Sequence, residues 1–99
     1  TRFAQAFTRG KFNHKKWGKL RIVKELKFRN ISKYNIDLAL KEISETDYLS
    51  TFDTLAEKRF SQLTTEKKLQ KKRKKFIDYL LYRGWESNLI YEKARELIK

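Results

Sequence analysis

The residues of this sequence best suited to chemistry are lysines and arginines, which gather in two places. The stretch KKLQKKRKK, residues 67–75, carries seven positive charges in nine positions. A second cluster surrounds Trp17. Cationic groups at this density bind phosphates or carboxylates, so the predicted chemistry is recognition of an anionic partner. The candidate partner-binding residues are Lys11, Lys15, Lys16, Trp17, Lys19, Arg21, Lys67, Lys68, Lys71, Lys72, Lys74 and Lys75.

Side chains able to catalyse a reaction or hold a metal are scarce. The sequence has no cysteine, and its one histidine, His14, lies in the polar stretch KFNHKKW, which is predicted to be a loop. No nucleophile or orienting carboxylate accompanies it. Glu42 and Glu45 have the spacing found at metal sites, but no histidine completes a ligand set. We therefore predict a protein that is not an enzyme, with no cofactor and no small-molecule substrate.

The composition describes a folded and strongly basic chain. Hydrophobic residues make up 39% of its 99 residues, too large a share for a disordered chain. The net charge of +13 favours nucleic acid, an anionic membrane or an acidic protein surface as the partner. Membrane binding is the weakest of these, because the apolar faces have internal partners to pack against. With no signal peptide and no apolar run near about 18 residues, we predict a cytoplasmic, monomeric protein.

Helices are predicted along the whole chain. The sequence has no proline and three glycines, and its apolar residues recur at spacings of three and four. Six apolar stripes result, in residues 3–12, 20–26, 36–43, 48–60, 69–81 and 89–98. The side chains that these stripes assign to the core, or place beside it, include Leu20, Leu69, Leu81, Tyr34, Tyr79, Tyr82 and Trp85.

Capping residues indicate where several helices begin. Ser32 is a good N-cap for the third helix, Thr46-Asp47 is the predicted cap of the fourth, and Thr64-Thr65 leads into the fifth. The opening residues, TRFAQAFTRGKF, look helical from the first position, with neither a recognised cap nor a start methionine. This pattern predicts that the sequence is a fragment or lacks an ordered N-terminal part.

The six helices are predicted to form two similar triplets. Residues 22–43 align with residues 76–97 at a shift of 54 positions. The shift also matches Asn30 with Gly84, and these are the residue types that best tolerate the left-handed conformation that closes a helix. We therefore predict an all-α, elongated array of tandem three-helix repeats, with repeats at 1–45 and 46–99.

The basic run is predicted to be the outer face of a helix over residues 66–83. Its apolar side would hold Leu69, Arg73, Phe76 and Leu80. The lysines predicted to point outward are Lys67, Lys68, Lys71, Lys74 and Lys75. Like charges four residues apart weaken an isolated helix by about 0.2–0.5 kcal/mol per pair. A solubilising face is the alternative, but such a face normally mixes charges of both signs. We interpret the run as a surface kept for an anionic partner.

The cluster around Trp17 allows two readings. Residues 1–31 hold ten basic side chains and one acidic side chain, so this end of the chain also attracts anions. The Trp17 ring is suited to stacking on a base or anchoring in a protein groove. It is equally suited to packing beneath its own loop.

The stretches FAQAFTRGKF, WGKLRIVKELKFRNISKYNIDLALKEI and KKRKKFIDYLLYRGWESNLIYEKAREL together resemble the RecX family of regulators of the RecA recombinase. The repeated turn and the order of the helices carry the resemblance, which covers essentially the whole chain. It implies tandem three-helix units that bind the RecA filament on single-stranded DNA and suppress its recombinase and coprotease activities. Family members generally carry a further N-terminal triplet, and they have no catalytic residues to transfer.

Two functions therefore stay open. The first is a regulator that lies in the groove of the RecA filament and contacts RecA, and non-specifically the enclosed DNA, through its basic helices. The second is a stand-alone DNA-binding module that places helix 16–29 or helix 66–83 in a groove of the duplex. Lysine outnumbers the residue types that read base edges, which favours the first.

Overall fold

The computed structural model describes residues 1–99 as six α-helices without strands. The helices are α1 (Arg2–Lys15), α2 (Lys19–Phe28), α3 (Lys33–Leu40), α4 (Glu45–Gln62), α5 (Leu69–Tyr82) and α6 (Ser87–Leu97). The molecule is elongated, measuring 47 × 24 × 21 Å. The predicted all-α array is confirmed. None of the six helices combines the length and the apolar character required to span a membrane.

The helix starts agree with the sequence only in part. Ser32 caps α3 by accepting a hydrogen bond from the Asn35 N–H, as predicted. The first helix is capped after all, because the Thr1 hydroxyl accepts from the Ala4 N–H at 3.2 Å. The cap of α4 is Ser44, not Thr46-Asp47, and its hydroxyl accepts from the backbone of Asp47.

The start of α5 also differs from the prediction. It begins at Leu69, after Lys68, and no side chain caps it, so Thr64-Thr65 does not lead into it directly. His14 was predicted to lie in a loop, but it belongs to the last turn of α1. The periodic pattern of α1 continues through its polar residues because these occupy the solvent side of the helix.

The turn that follows α2 is repeated after α5 with the same hydrogen bonds. Asn30 has φ 62° and Gly84 has φ 92°, so both adopt the predicted left-handed conformation. In the first copy, the N–H of Ile31 donates to Leu26 O at 3.0 Å; in the second, Trp85 N–H donates to Leu80 O at 3.2 Å. Each copy is a Schellman motif, which satisfies carbonyls left free at a helix end.

The core is continuous through both units and is centred on Trp85. The side chains at the aligned positions Ile22 and Phe76 are both fully buried. Trp85 is also fully buried, and its ring lies 4.6 Å from that of Tyr48 and 5.3 Å from that of Phe52. The Phe12 ring of α1 reaches the same cluster, at 6.5 Å from Trp85. One aromatic cluster therefore joins the two triplets.

Several residues assigned to the core by the stripes are in fact exposed. They are Leu20, Leu69, Leu81, Tyr34 and Tyr82, whereas Tyr79 is half-buried. An α-helix turns by about 100° per residue, so Leu20 lies on the side of α2 opposite Ile22. Leu69 is the first residue of α5, and it lies nearly two turns before Phe76, the first buried side chain of that helix.

The two triplets meet where the α1–α2 turn contacts the α5–α6 turn. Gly18 N–H donates to Arg83 O at 2.8 Å, and Leu20 N–H donates to Gly84 O at 3.0 Å. A Cβ atom on Gly18 would lie 2.4 Å from the Gly84 carbonyl oxygen. Only a glycine permits this approach of the two backbones.

Side chains of the second triplet complete this junction. The Trp85 indole N–H donates to Lys16 O at 3.1 Å, and the Arg83 guanidinium donates to Lys15 O at 2.7 Å. The first N–H groups of a helix have no partner within it. In α2, the Lys19 N–H finds one in the Tyr48 hydroxyl at 2.8 Å, and that of Leu20 finds one in Gly84 O. The second triplet therefore caps a helix of the first.

Candidate functional site

The basic run covers the entrance to α5 and its first two turns. Lys67 and Lys68 precede the helix, a difference from the predicted helix 66–83. They are exposed, as are Lys71, Lys74 and Lys75, whereas the side chain of Lys72 is half-buried. The outward orientation predicted for Lys67, Lys68, Lys71, Lys74 and Lys75 is thus observed for all five. The run presents its charge to solvent at one end of the second triplet.

Part of this charge is paired within the chain. Lys74 lies 2.7 Å from Asp78, and Lys75 lies 2.8 Å from Glu66. The hydrogen bond from Lys75 holds the pKa of the Glu66 carboxyl below its usual value, and the Asp78 carboxylate raises the pKa of Lys74. The Lys72 ammonium lies 4.5 Å from the centre of the Phe60 ring. Two lysines of the run thus have their charge offset by a carboxylate, and a third lies against an aromatic ring.

The unpaired lysines of the run are Lys67, Lys68 and Lys71, which form no ion pair. They surround the N-terminus of α5, where the helix dipole carries partial positive charge and disfavours cations. The first turn of α4, in contrast, holds Glu45 and Asp47. None of the three forms an ion pair, although the charge of Lys71 helps to lower the pKa of the nearby Glu66 carboxyl. Cations at this position weaken α5, so the fold itself gains little from them. We call Lys67, Lys68 and Lys71 the unpaired lysine cluster.

Most of the cluster around Trp17 is engaged in the junction. Trp17 is half-buried, with its ring centre 6.2 Å from that of Phe7. Its faces are covered by cations, since the Lys11 ammonium lies at 4.9 Å and the Arg21 guanidinium at 4.1 Å. The Lys19 ammonium lies 4.5 Å from the Tyr48 ring centre. Trp17 thus packs against its own chain, which leaves little of its ring free for stacking.

Lys15 and Lys16 are the exposed members of this cluster. Lys16 adopts the left-handed conformation, with φ 58°, and its ammonium donates to Asn13 O at 2.6 Å. The carbonyls of both lysines are held by the second triplet, which fixes the backbone beneath them. No hydrogen bond or ion pair joins these two lysines to the basic run.

Tyr48 links the junction to α6. Its hydroxyl donates to the Glu86 carboxylate while accepting from the Lys19 N–H. Burial, together with the hydrogen bond to Glu86, raises the pKa of the Tyr48 phenol far above its usual value of 10.0. The folded chain therefore retains the phenol proton at a pH where the unfolded chain has released it. This difference stabilises the fold fully below about pH 10 and is lost as pH rises further.

We expect stability at alkaline pH to depend on Tyr48. Above about pH 10, the free energy of unfolding should fall more steeply with pH in the wild type than in Tyr48→Phe. The difference in slope should be up to about 1.4 kcal/mol per pH unit. At neutral pH, Tyr48→Phe should lower the free energy of unfolding by about 1–3 kcal/mol, because Lys19 N–H and Glu86 lose their hydrogen-bond partner. Urea denaturation at pH 8, 10 and 11 measures both effects. Tyr34→Phe, at an exposed site, is the control and should keep the wild-type slope; equal slopes for all three chains would contradict the assignment.

A groove between α2 and the end of α5 is a surface that sequence reasoning missed. It has a volume of about 870 Å³. Its lining consists of Leu20, Arg21, Lys24, Glu25, Lys27, Phe28, Leu81, Tyr82 and Gly84. We call it the α2–α5 groove. The signal for it in the sequence is the spacing of Leu20, Lys24 and Phe28, which places them along one line of α2, away from the buried Ile22 and Leu26.

No group of three or more histidine, aspartate or glutamate side chains lies close enough to hold a metal ion. Glu42 instead pairs with Arg9 at 2.6 Å. His14 is exposed on α1. Two surfaces therefore stand out as candidate sites: the basic run and the α2–α5 groove.

Six helices in two triplets, joined by a shared aromatic cluster, define an all-α protein of tandem three-helix repeats. Two protein-family models match the chain: the second three-helix domain of RecX over residues 1–40 and the third over residues 45–97. The chain belongs to the RecX family, whose members regulate the RecA recombinase. The predicted resemblance is thus confirmed, and the family is one of regulatory proteins. No curated protein and no solved structure gave a match.

Proposed function

We propose that this chain binds the RecA filament on single-stranded DNA and inhibits its recombinase, ATPase and coprotease activities. The proposal includes the division into repeats 1–45 and 46–99, a monomeric chain and action in the cytoplasm. The observation that carries it is the pair of RecX domain matches, which together cover both triplets. The net charge of +13 supports an anionic partner, whether acidic protein surface or phosphate.

In this proposal the unpaired lysine cluster supplies the first electrostatic contacts with the filament. Exposed cations without internal partners lose little on meeting an anion, whereas Lys74 and Lys75 must first leave Asp78 and Glu66. Lys15 and Lys16 form a second contact, on a backbone fixed by the junction. The remaining candidate residues, Lys11, Trp17, Lys19, Arg21 and Lys72, then support these surfaces through packing. A rigid array held at two places acts as a wedge in the filament groove.

We expect reversal of the unpaired lysine cluster to weaken inhibition of RecA. The variant Lys67→Glu, Lys68→Glu, Lys71→Glu should need at least about tenfold more protein for half-maximal inhibition of DNA-dependent RecA ATPase, equivalent to about 1.4 kcal/mol. Its helices should stay intact, because glutamates at the N-terminus of α5 favour the dipole by about 0.3–1 kcal/mol each. The ATPase assay and thermal denaturation together measure the two effects.

The matched control moves the same charge change elsewhere. Lys41, Arg95 and Lys99 are exposed, carry no ion pair and lie outside the proposed contacts, so Lys41→Glu, Arg95→Glu, Lys99→Glu has the same net charge. This control should inhibit like the wild type. Equal weakening by both triple variants would show that net charge, and not this cluster, drives binding; no weakening by either would refute the proposed contact.

The competing function is direct DNA binding without RecA, which the exposed basic run also favours. A stand-alone DNA-binding module would bind DNA tightly, with log affinity falling by about 0.9 per log unit of salt for each phosphate contacted. Under our proposal, binding to free DNA is weak and indifferent to sequence. A salt titration of binding to single-stranded and duplex oligonucleotides, in the absence of RecA, distinguishes the two.

A further inference from the structure

The α2–α5 groove concentrates exposed apolar surface that the fold itself does not use. Nine large hydrophobic side chains of the chain are exposed, and four of them line this groove: Leu20, Phe28, Leu81 and Tyr82. Phe28 is 81% exposed and Tyr82 is 76% exposed. Single exposed apolar residues are ordinary on a protein surface, but a contiguous group of them marks an interaction site.

The rim of the α2–α5 groove is positively charged. Lys24 and Lys27 are exposed and form no ion pair. Glu25 is the one acidic residue of the lining, and it faces Arg29 at 3.3 Å, so its charge is offset. The rim therefore complements a partner that carries carboxylates beside its apolar contacts.

The lining of the groove fits protein better than nucleic acid. Bases of a single strand stack on the open faces of aromatic rings. In this groove the Arg21 guanidinium lies 4.8 Å from the Tyr82 ring centre and competes with a base for one face of that ring. Leu20 and Leu81 offer apolar surface without a ring, which suits the packing of aliphatic side chains. Aromatic side chains and arginine are enriched at protein interfaces relative to the rest of the surface.

The shape of the groove fits a helix. Leu20, Lys24 and Phe28 form one line along α2, about 12 Å long at 1.5 Å per residue, which corresponds to two turns of a partner helix. The chain has no strand edge to which an extended peptide could add. We propose that the α2–α5 groove binds an amphipathic helix of the partner protein, with apolar side chains against Phe28 and Leu81 and acidic side chains facing Lys24 and Lys27. This inference rests on the proposed function, in which that partner is RecA.

Photo-crosslinking from the groove tests the inference directly. The variant Phe28→p-benzoylphenylalanine keeps an aromatic ring at an exposed site, so it should fold and inhibit RecA normally. Irradiation with RecA filaments on single-stranded DNA should give an adduct with RecA, and peptide mapping should place it in a helix with acidic flanks. Tyr34→p-benzoylphenylalanine is the matched control, because Tyr34 is 72% exposed and lies outside the groove; it should give no such adduct. A third probe at Lys71, in the unpaired lysine cluster, reports filament binding itself.

Each pattern of adducts has one meaning. An adduct with RecA from position 71 but none from position 28 overturns the groove inference and leaves the proposed function standing. An adduct with DNA from position 28 overturns it in favour of a base-stacking site. No adduct from either position, in a chain that does not inhibit RecA, refutes the proposed function and the inference with it.

Serine substitutions provide an independent measurement. Leu20→Ser, Leu81→Ser changes two side chains that are already 55% and 42% exposed, so the fold should persist. The concentration for half-maximal inhibition should rise about tenfold with no change in its salt dependence, because the lost contact is apolar. Tyr34→Ser should leave it unchanged. Inhibition by the double variant at the wild-type concentration would contradict the inference.

Discussion

Gly84→Ala is expected to destabilise the chain by about 2–5 kcal/mol, a large part of the about 5–15 kcal/mol that holds a domain together. Two costs contribute. An alanine at φ 92° is strained by about 1–2 kcal/mol. Its Cβ atom would also lie 2.3 Å from the Arg21 Cβ atom and 2.5 Å from the Arg21 nitrogen, and such overpacking costs about 1–3 kcal/mol. Urea denaturation followed by circular dichroism measures the sum.

Two further substitutions separate these costs. Asn30→Ala places alanine in the same turn of the first triplet, where φ is 62° and the residue is exposed, so only the conformational cost applies. Gly10 lies inside α1, and an added Cβ would have no neighbouring atom within 4 Å. Gly10→Ala should therefore raise the free energy of unfolding by about 0.5–1 kcal/mol. If Gly84→Ala lowered the free energy of unfolding no more than Asn30→Ala does, the two triplets would not lie as close together at Gly84 as described.

Trp85→Ala is expected to cost about 3–5 kcal/mol, the range for removing a large aromatic residue from a core. The change empties the centre of the aromatic cluster and removes the indole hydrogen bond to Lys16 O. Because repeat proteins owe their cooperativity to the contacts between neighbouring units, the two triplets should then unfold at different urea concentrations. In this variant Trp17 is the one remaining tryptophan, so its fluorescence follows the first triplet while circular dichroism follows all helices.

In the wild type the two signals should coincide, as for a two-state domain. Trp17→Ala is the matched control, since that indole is half-buried and donates no hydrogen bond across the junction. It should cost less than Trp85→Ala and preserve a single transition. Coincident transitions in Trp85→Ala would mean that Trp85 does not couple the triplets.

The repeat was predictable from the sequence because it depends on local chemistry. The left-handed residue that closes a helix is most often glycine and sometimes asparagine, and Asn30 and Gly84 occupy equivalent places 54 positions apart. Periodicity likewise placed Ile22 and Phe76 in the core, where both are found. These features concern single helices and the turns after them, whose geometry a sequence pattern specifies directly.

The surfaces were less predictable, because they depend on which faces the neighbouring unit covers. Leu20 was assigned to the core with Ile22, although the two lie about 200° apart around α2. Trp17 gave two equal readings. The structure shows its ring packed against Lys11 and Arg21, and a contact of Trp17 with a partner stays a prediction. The pairing of Lys75 with Glu66 required the path of the chain before α5, which no periodicity describes. Which of the exposed lysines bind a partner stays a prediction.

The junction between the triplets has a direction. The turn around Gly84 of the second unit fits into the α1–α2 turn of the first, through the glycine at position 18. At the shift of 54 that relates the units, position 18 corresponds to Lys72, which lies inside α5. A helical turn with a side chain on every residue cannot receive such a backbone. The second unit therefore supplies the inserted turn but has no turn that could receive another one. A further unit cannot join it through the same contact, so this head-to-tail contact does not extend into an open-ended polymer.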